Sequence, residues 1–359
     1  NVSLLLREMG ITKPLLVAGE RTKNVFFART GMRLPVFDAF HPNPDLQDCV
    51  AGAALYQEKG CDGLISIGGG SAMDTAKGIK ALLMTDIAHV RANQLPSEGN
   101  VPHLAIPGTA GTGAETTAVA VLYENGQKLS VDHPALLPDG VLLDGSLLDT
   151  LPEYHRKSCA MDALAQGIES WWAKKATPGS RIHAERAIRG VLDNLTAYLQ
   201  GDRKAQDEML HAAYESGVAI LTTRTTAAHA MSYQITKKLG AAHGHACMLT
   251  LPHLWAHLAA QAEYQPMLTE LSRILGGEKP MDGAILLKGL LAVLELDKIP
   301  MPDDATLDML AASVNPERLG NHPEALTMAQ LRAIYVQAFT PMTDTERAEA
   351  IAAWEQYGK

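Results

Sequence analysis

Four residues in the second half of the chain have types and spacings suited to a metal ion. Asp162 and Gln166 lie four apart in MDALAQGIES, so on a helix they share one face. His229, in TTAAHAMSY, and His243, in AAHGHACM, lie fourteen apart, the first inside a helical pattern and the second after a glycine-containing break. A carboxylate, an amide oxygen and two imidazoles form a borderline N/O donor set for a divalent first-row metal. Such an ion, with one position open, polarises a carbonyl as a Lewis acid. The competing reading of either histidine is a core imidazole bonded to backbone. His245 and Tyr233 are polar neighbours that could orient ligands or touch a substrate.

A second group is glycine-rich. ISIGGGSAMDTAKGIKA puts Gly68, Gly69, Gly70 and Ser71 between a strand and a helix. Glycine lets backbone approach a ligand closely, and a helix start offers unpaired N–H groups to phosphate. Asp74 and Lys77 fall three apart on that helix. Neither GxGxxG nor GxxxxGK[ST] is present. IPGTAGTGAETT adds Gly108, Thr109, Gly111, Thr112 and Gly113 after another buried-type strand. Two such loops suit a cofactor lying along the carboxyl edge of a parallel sheet. A pair of ordinary tight turns is the alternative.

These residues need elements to hold them. Over residues 1–150, PLLVAG, RLPVFDAF, CDGLISIGGG and VPHLAIPG read as strands. LQDCVAGAALYQEKG and SAMDTAKGIKALL read as helices between them, the alternation of a mostly parallel α/β sheet. Leu151-Pro152 is the expected boundary. Over 151–359 helical spacing dominates, with RKAQDEMLHAAYESGVAILTTRTTAAHAMSYQITKKLG read as helical throughout, so an all-helical second domain is expected.

Composition narrows the function. The chain has 359 residues, 47% hydrophobic and 20% charged, enough for two domains with cores. Its net charge of −9, without a basic run, argues against nucleic acid as a partner. No apolar run reaches membrane-spanning length, and the opening residues read as folded domain, so no signal peptide is expected. The absence of an initiating Met leads us to expect a short missing N-terminal piece. Cys49, Cys61, Cys159 and Cys247 lie far apart with no CxxC pair, which favours a cytoplasmic chain without disulfides.

Several stretches, in order, carry a family likeness: HPNP, GGGSAMDTAKG, IPGTAGTGAE, VLLDGSLLDTLP, MDALAQGIESWW, HAMSYQITKKLG, HGHACMLTLPH and NPERLGNHPEALT. The chain resembles the iron-containing (group III) alcohol dehydrogenases over essentially its whole length. The resemblance implies a dehydroquinate synthase-like fold, with an α/β dinucleotide-binding domain, a helical metal-binding domain and an active site between them. It implies a metal, Fe2+ first and Zn2+ second, held by Asp162, His229 and His243. Gln166 stands where the family usually has histidine, and Tyr233 where it often has a relay histidine. It also implies NAD(H) or NADP(H) at Gly69, Gly70, Ser71, Asp74, Thr109 and Thr112, and a homodimer or larger assembly; Lys77, on the helix face of Asp74, and Lys128 are further expected cofactor contacts.

QGIESWW, RTTAAHAMSY, HGHA and RLGNHP most resemble a subgroup that reduces phosphonoacetaldehyde to 2-hydroxyethylphosphonate. Such a substrate needs a cation, and a guanidinium matches a phosphonate bidentately. Arg224 stands alone in the otherwise uncharged VAILTTRTTAAHAM and is the candidate. Lys128, His133, Lys237, Lys238 and His245 are weaker ones, with Lys237 and Lys238 read as surface charge. After the first strand, Gly19 stands where NAD-preferring members often have Asp, and Arg21 and Lys23 could pair with a 2′-phosphate, which leans the reading to NADPH. His245, water or cofactor hydroxyls would return the proton. The rival readings are a non-redox lyase or cyclase of dehydroquinate-synthase type and a non-catalytic nucleotide binder.

Overall fold

The computed structural model describes residues 1–97 and 101–357. The chain divides into two compact units, Asn1–Leu151 and Pro152–Lys359. The first unit holds strands β1 (Pro14–Ala18), β2 (Val36–Phe37), β3 (Gly63–Gly68), β4 (His103–Pro107), β5 (Val119–Glu124), β6 (Gln127–Asp132) and β7 (Gly140–Val141). Its helices are α1 (Val2–Glu8), α2 (Glu20–Thr30), α3 (Leu46–Lys59), α4 (Gly70–Met84) and α5 (Ile87–Arg91). Five strands form one parallel sheet in the order β2-β1-β3-β4-β7.

The central strands are continuous apolar runs because both faces are covered. Leu15, Val17 and Leu64 face Phe37, Leu46, Cys49 and Ile79, on the side of α3 and α4. Leu16, Ile65, Ile67, Leu104 and Ile106 face Leu6 and Phe26, on the side of α1 and α2. The second expected strand, RLPVFDAF, shrinks to the edge pair Val36–Phe37. The antiparallel ribbon β5–β6 departs from the βα alternation. It turns at Asn125 and Gly126, with φ of 52° and 75°, the left-handed pair that a tight hairpin requires.

The second unit is helical among its described residues: α6 (Glu153–Trp172), α7 (Pro178–Leu199), α8 (Arg203–Thr223), α9 (Ala227–Gln234), α10 (His243–Ala259), α11 (Gln265–Leu275), α12 (Asp282–Val293), α13 (Asp304–Ala312), α14 (Pro316–Gly320), α15 (Met328–Phe339) and α16 (Asp344–Tyr357). A π-helical turn, Ile235–Leu239, follows α9. The stretch expected as one helix from 203 to 240 therefore breaks, at Arg224–Thr226. Arg224 takes φ 64° and ψ 176°. Asn321 stabilises the break by donating through Nδ2 to the carbonyls of Thr223 (2.8 Å) and Thr225 (3.1 Å). No helix among the described residues is long and apolar enough to cross a membrane.

Candidate metal centre and glycine loops

Three helices bring the donors together. Asp162 and Gln166 project from α6, His229 is the third residue of α9, and His243 opens α10. Gly244 explains how α10 comes so close to α6: a Cβ there would lie 2.0 Å from the Ser158 carbonyl oxygen and 2.6 Å from the Asp162 nitrogen. Only glycine permits that approach, which sets His243 beside Asp162. The ligand atoms of Asp162, His229, His243 and Cys247 all lie within 4.8 Å of one another. His229 Nε2 is 3.2 Å from Asp162 Oδ1, and the two imidazole rings are 5.3 Å apart at 75°. Metal–ligand bonds of about 2.0–2.3 Å put tetrahedral donors roughly 3.3–3.8 Å apart, so this cluster fits an ion after small adjustments.

The second face of His229 is bound as well. Its Nδ1 is hydrogen-bonded to Glu169 Oε2. Glu169 is fully buried, and its Oε1 accepts from the Thr226 and Ala228 backbone nitrogens and the Thr226 hydroxyl. One carboxylate thus closes the start of α9 and turns Nε2 of His229 toward Asp162. Electrostatics agree with a site built for positive charge. Burial pushes the Asp162 carboxyl up, but His243 and His229 outweigh it and hold it below the usual range. Burial likewise opposes charge on His243, yet Cys247 and Asp162 raise it to about 9. Burial raises the Cys247 thiol, and the two imidazoles bring it down to about 7.

The pattern reading missed Glu169 and Cys247. Cys247 lies one helical turn after His243, its sulfur 3.9 Å from Nε2. A search for paired cysteines cannot see a His-x3-Cys pair at a helix start. Gln166 Oε1 accepts from Ser216 Oγ (2.8 Å), and Gln166 Nε2 donates to Asp162 Oδ1 (3.3 Å). Tyr233 stacks parallel to His243, with ring centres 6.1 Å apart. His245 does not sit free for proton transfer. Its Nε2 donates to the Leu296 carbonyl (2.8 Å), and its Nδ1 accepts from Tyr154 (3.0 Å), so both nitrogens are spent on positioning. Arg224 is half-buried in the break before α9, and Lys237 and Lys238 are exposed.

In the first unit the two glycine loops touch. The Gly108 nitrogen donates to the Gly68 carbonyl (2.7 Å), and a Cβ on Gly108 would meet Gly68 Cα at 3.2 Å. Gly68 has φ 148°, open to glycine, and Gly69 is the N-cap of α4 without a side-chain cap. Thr109 and Thr112 lie over Gly69 and Gly70, at 3.3 and 3.5 Å from the positions their Cβ atoms would take. Ser71 Oγ accepts from the Asn43 nitrogen at 3.3 Å. Asp74 is half-buried, its carboxyl raised to about 6 by burial. Lys128 is exposed on β6.

Lys77 departs from its expected cofactor role. It is fully buried, and Nζ donates to the Ala114 carbonyl (2.6 Å), the Val119 carbonyl (3.0 Å) and Thr117 Oγ1 (3.1 Å). An ammonium has three donors, and all are used inside the unit. Lys23, offered for a 2′-phosphate, bridges Glu20 (2.6 Å) and Asp38 (2.7 Å) instead, and Arg21 is hydrogen-bonded to Thr150.

Known proteins resemble this chain in sequence and fold. The chain is 34% identical over 250 residues to the probable alcohol dehydrogenase EutG of Escherichia coli K12, covering 68% of this chain and 60% of that protein. It is 36% identical over 228 residues to the phosphonoacetaldehyde reductase of Streptomyces viridochromogenes, covering 60% and 58%. It therefore matches less than two thirds of the length of each of these relatives. Its fold matches the crystal structure of sulfoacetaldehyde reductase from Bifidobacterium kashiwanohense in complex with NAD+, with a TM-score of 0.87, 26% identity and 94% of each chain covered. Residues 1–145 match the profile of iron-containing alcohol dehydrogenase, and residues 157–339 that of the Fe-containing alcohol dehydrogenase family, C-terminal. These two matches account for most of the chain and take in both the glycine loops and the Asp162–His229–His243 cluster, so the chain belongs to the iron-containing alcohol dehydrogenase family.

Proposed function

We propose that this protein is a metal-dependent NAD(P)H oxidoreductase that reduces a small aldehyde to its primary alcohol, with phosphonoacetaldehyde the first candidate. The observation that carries the reading is the convergence of Asp162, His229 and His243 from three helices, with Glu169 turning His229. When bound, a divalent ion supplies Lewis-acid polarisation of a carbonyl and a nicotinamide supplies hydride. Asp162, His229 and His243 hold the ion. The start of α4 at Gly69, Gly70 and Ser71, which has no side-chain cap, takes the dinucleotide phosphates, beside Thr109 and Thr112. Both ring nitrogens of His245 are engaged, so the product proton comes from solvent or from cofactor hydroxyls. Arg224, just ahead of the helix that carries His229, is assigned to an anionic group on the substrate. Two relatives named for aldehydes bearing a phosphonate or a sulfonate support that assignment.

The test is NAD(P)H oxidation by metal-depleted protein, with Fe2+, Zn2+, Ni2+ or Mn2+ restored in turn. Phosphonoacetaldehyde, sulfoacetaldehyde, lactaldehyde and acetaldehyde serve as substrates. Metal-dependent turnover that favours the anionic aldehydes supports the reading. Preference for acetaldehyde discards the substrate class, and no turnover with any ion discards the activity.

A further inference from the structure

Gln166 is the weakest member of the donor set expected from sequence. A neutral amide oxygen is a poor ligand beside imidazole or carboxylate. In the structure that oxygen accepts from Ser216 Oγ, while the amide nitrogen donates to Asp162. Turning the amide over would set its oxygen against Asp162 Oδ1. Gln166 as found therefore orients Asp162, and a ligand position is left for another group.

Cys247 occupies the right place. It is completely buried and unpaired in any disulfide. Its sulfur lies within 4.8 Å of the ligand atoms of Asp162, His229 and His243. The usual role of a buried cysteine is that of a small apolar side chain. Here the sulfur faces the nitrogen end of an imidazole, 3.9 Å from His243 Nε2. His243 and Cys247 are one turn apart at the start of α10, a spacing that lets both side chains reach one ion.

We propose that Cys247 is the fourth protein ligand, completing with Asp162, His229 and His243 a set of one carboxylate oxygen, two imidazole nitrogens and one thiolate. The inference rests on the metal-dependent reading above and adds the identity of the donor. Its consequence is a change in metal preference. A thiolate favours thiophilic ions, so this chain holds Zn2+ or Co2+ in preference to Mn2+ more strongly than an all-N/O site would.

The experiment uses the full chain, stripped of metal and reloaded with Co2+ or Zn2+. The wild type is expected to show a near-ultraviolet sulfur-to-cobalt charge-transfer band. X-ray absorption of the zinc form should show one sulfur at about 2.3 Å. The band should survive in Gln166→Leu and Cys159→Ser and vanish in Cys247→Ser, with zinc affinity down by ~10-fold or more in that last variant. Wild-type protein that binds one ion and turns over aldehyde, with only nitrogen and oxygen neighbours, overturns the proposal and leaves the proposed function standing. Loss of the band in Cys159→Ser instead also overturns it. Wild-type protein that binds no ion and consumes no NAD(P)H overturns both. The wild-type absorption spectrum needs no variant, so a misfolded substitution cannot decide the matter.

Discussion

Glu169 and His229 are joined by a hydrogen bond that does two jobs with one carboxylate. Oε2 takes the Nδ1 side of the ring, while Oε1 gathers the Thr226 and Ala228 backbone nitrogens at the start of α9. The helix start and the ligand orientation are therefore set by the same buried group. Glu169→Gln keeps the size and keeps an oxygen for the backbone. Its amide N–H2 would face Nδ1 and favour the tautomer with a proton on Nε2, the nitrogen that faces Asp162. Metal affinity is expected to fall ~10–100-fold, as for other groups that orient metal-bound histidines. Competition against a chromophoric chelator measures it, and unchanged affinity would remove Glu169 from the site.

Arg224 holds a backbone conformation that is nearly exclusive to glycine, at φ 64° and ψ 176°. Such a residue costs of order 1–3 kcal/mol. Arg224→Gly should therefore raise stability to urea by about 1 kcal/mol, after allowing for the freer unfolded chain. The same change should raise KM for phosphonoacetaldehyde and leave that for acetaldehyde alone. Arg224→Ala should show the KM effect without the gain in stability. An unchanged KM in both variants would mean that the guanidinium does not meet the anion.

Lys77→Met separates a structural amine from a cofactor contact. The substitution takes the Lys77 donor from the Val119 carbonyl, while the Ala114 carbonyl keeps the Thr117 nitrogen and hydroxyl. A loss of about 1–3 kcal/mol is expected in urea unfolding, the cost of one buried unsatisfied group. The dissociation constant for NADH or NADPH, read by fluorescence titration of folded protein, should not move. Weaker cofactor binding at unchanged stability would return Lys77 to the cofactor site.

Glu115 gives the first unit a pH dependence. Burial raises its carboxyl to about 7, against an ordinary 4.5, with its own backbone and Lys77 pulling the other way. Its Oε1 has no hydrogen-bond partner. The folded value lies above the unfolded one, so its stabilising contribution is complete below pH about 4.5. It is lost as pH rises through about 7. Lys77, lowered to about 8 by burial, titrates in the opposite sense and only above that range. Glu115→Gln should remove the loss: from pH 5 to pH 8 the wild type should lose ~2–3 kcal/mol relative to the variant in chemical denaturation. Parallel curves would show that the carboxyl is ionised throughout.

Much of this was legible before folding. Asp162, His229 and His243 stand out because polar residues interrupt apolar helical spacing, and the glycine loops because two of them follow buried-type strands. Asn125-Gly126 is a local hairpin signal set within the βα alternation. Arg224 hid its helix break because TTRTT contains neither Gly nor Pro. Lys77 was assigned by its helix face, and a face does not reveal what packs on it. Cys247 was judged against other cysteines, whereas its neighbours are histidines.

The sequence by itself determined the strands β1, β3 and β4 and most helices, the loops at the ends of β3 and β4, and three of the candidate ligands. Hydrophobic period, helix spacing and the freedom of glycine act within a few residues, so they can be read locally. Only the tertiary structure decided that His229 meets Asp162 across 67 positions, that Cys247 joins them, that Glu169 aims the ring, and that Lys77 and His245 are already engaged. Those outcomes depend on which helix faces pack together. A close approach such as that at Gly244 is set by the shape of both partners, which neither segment carries alone.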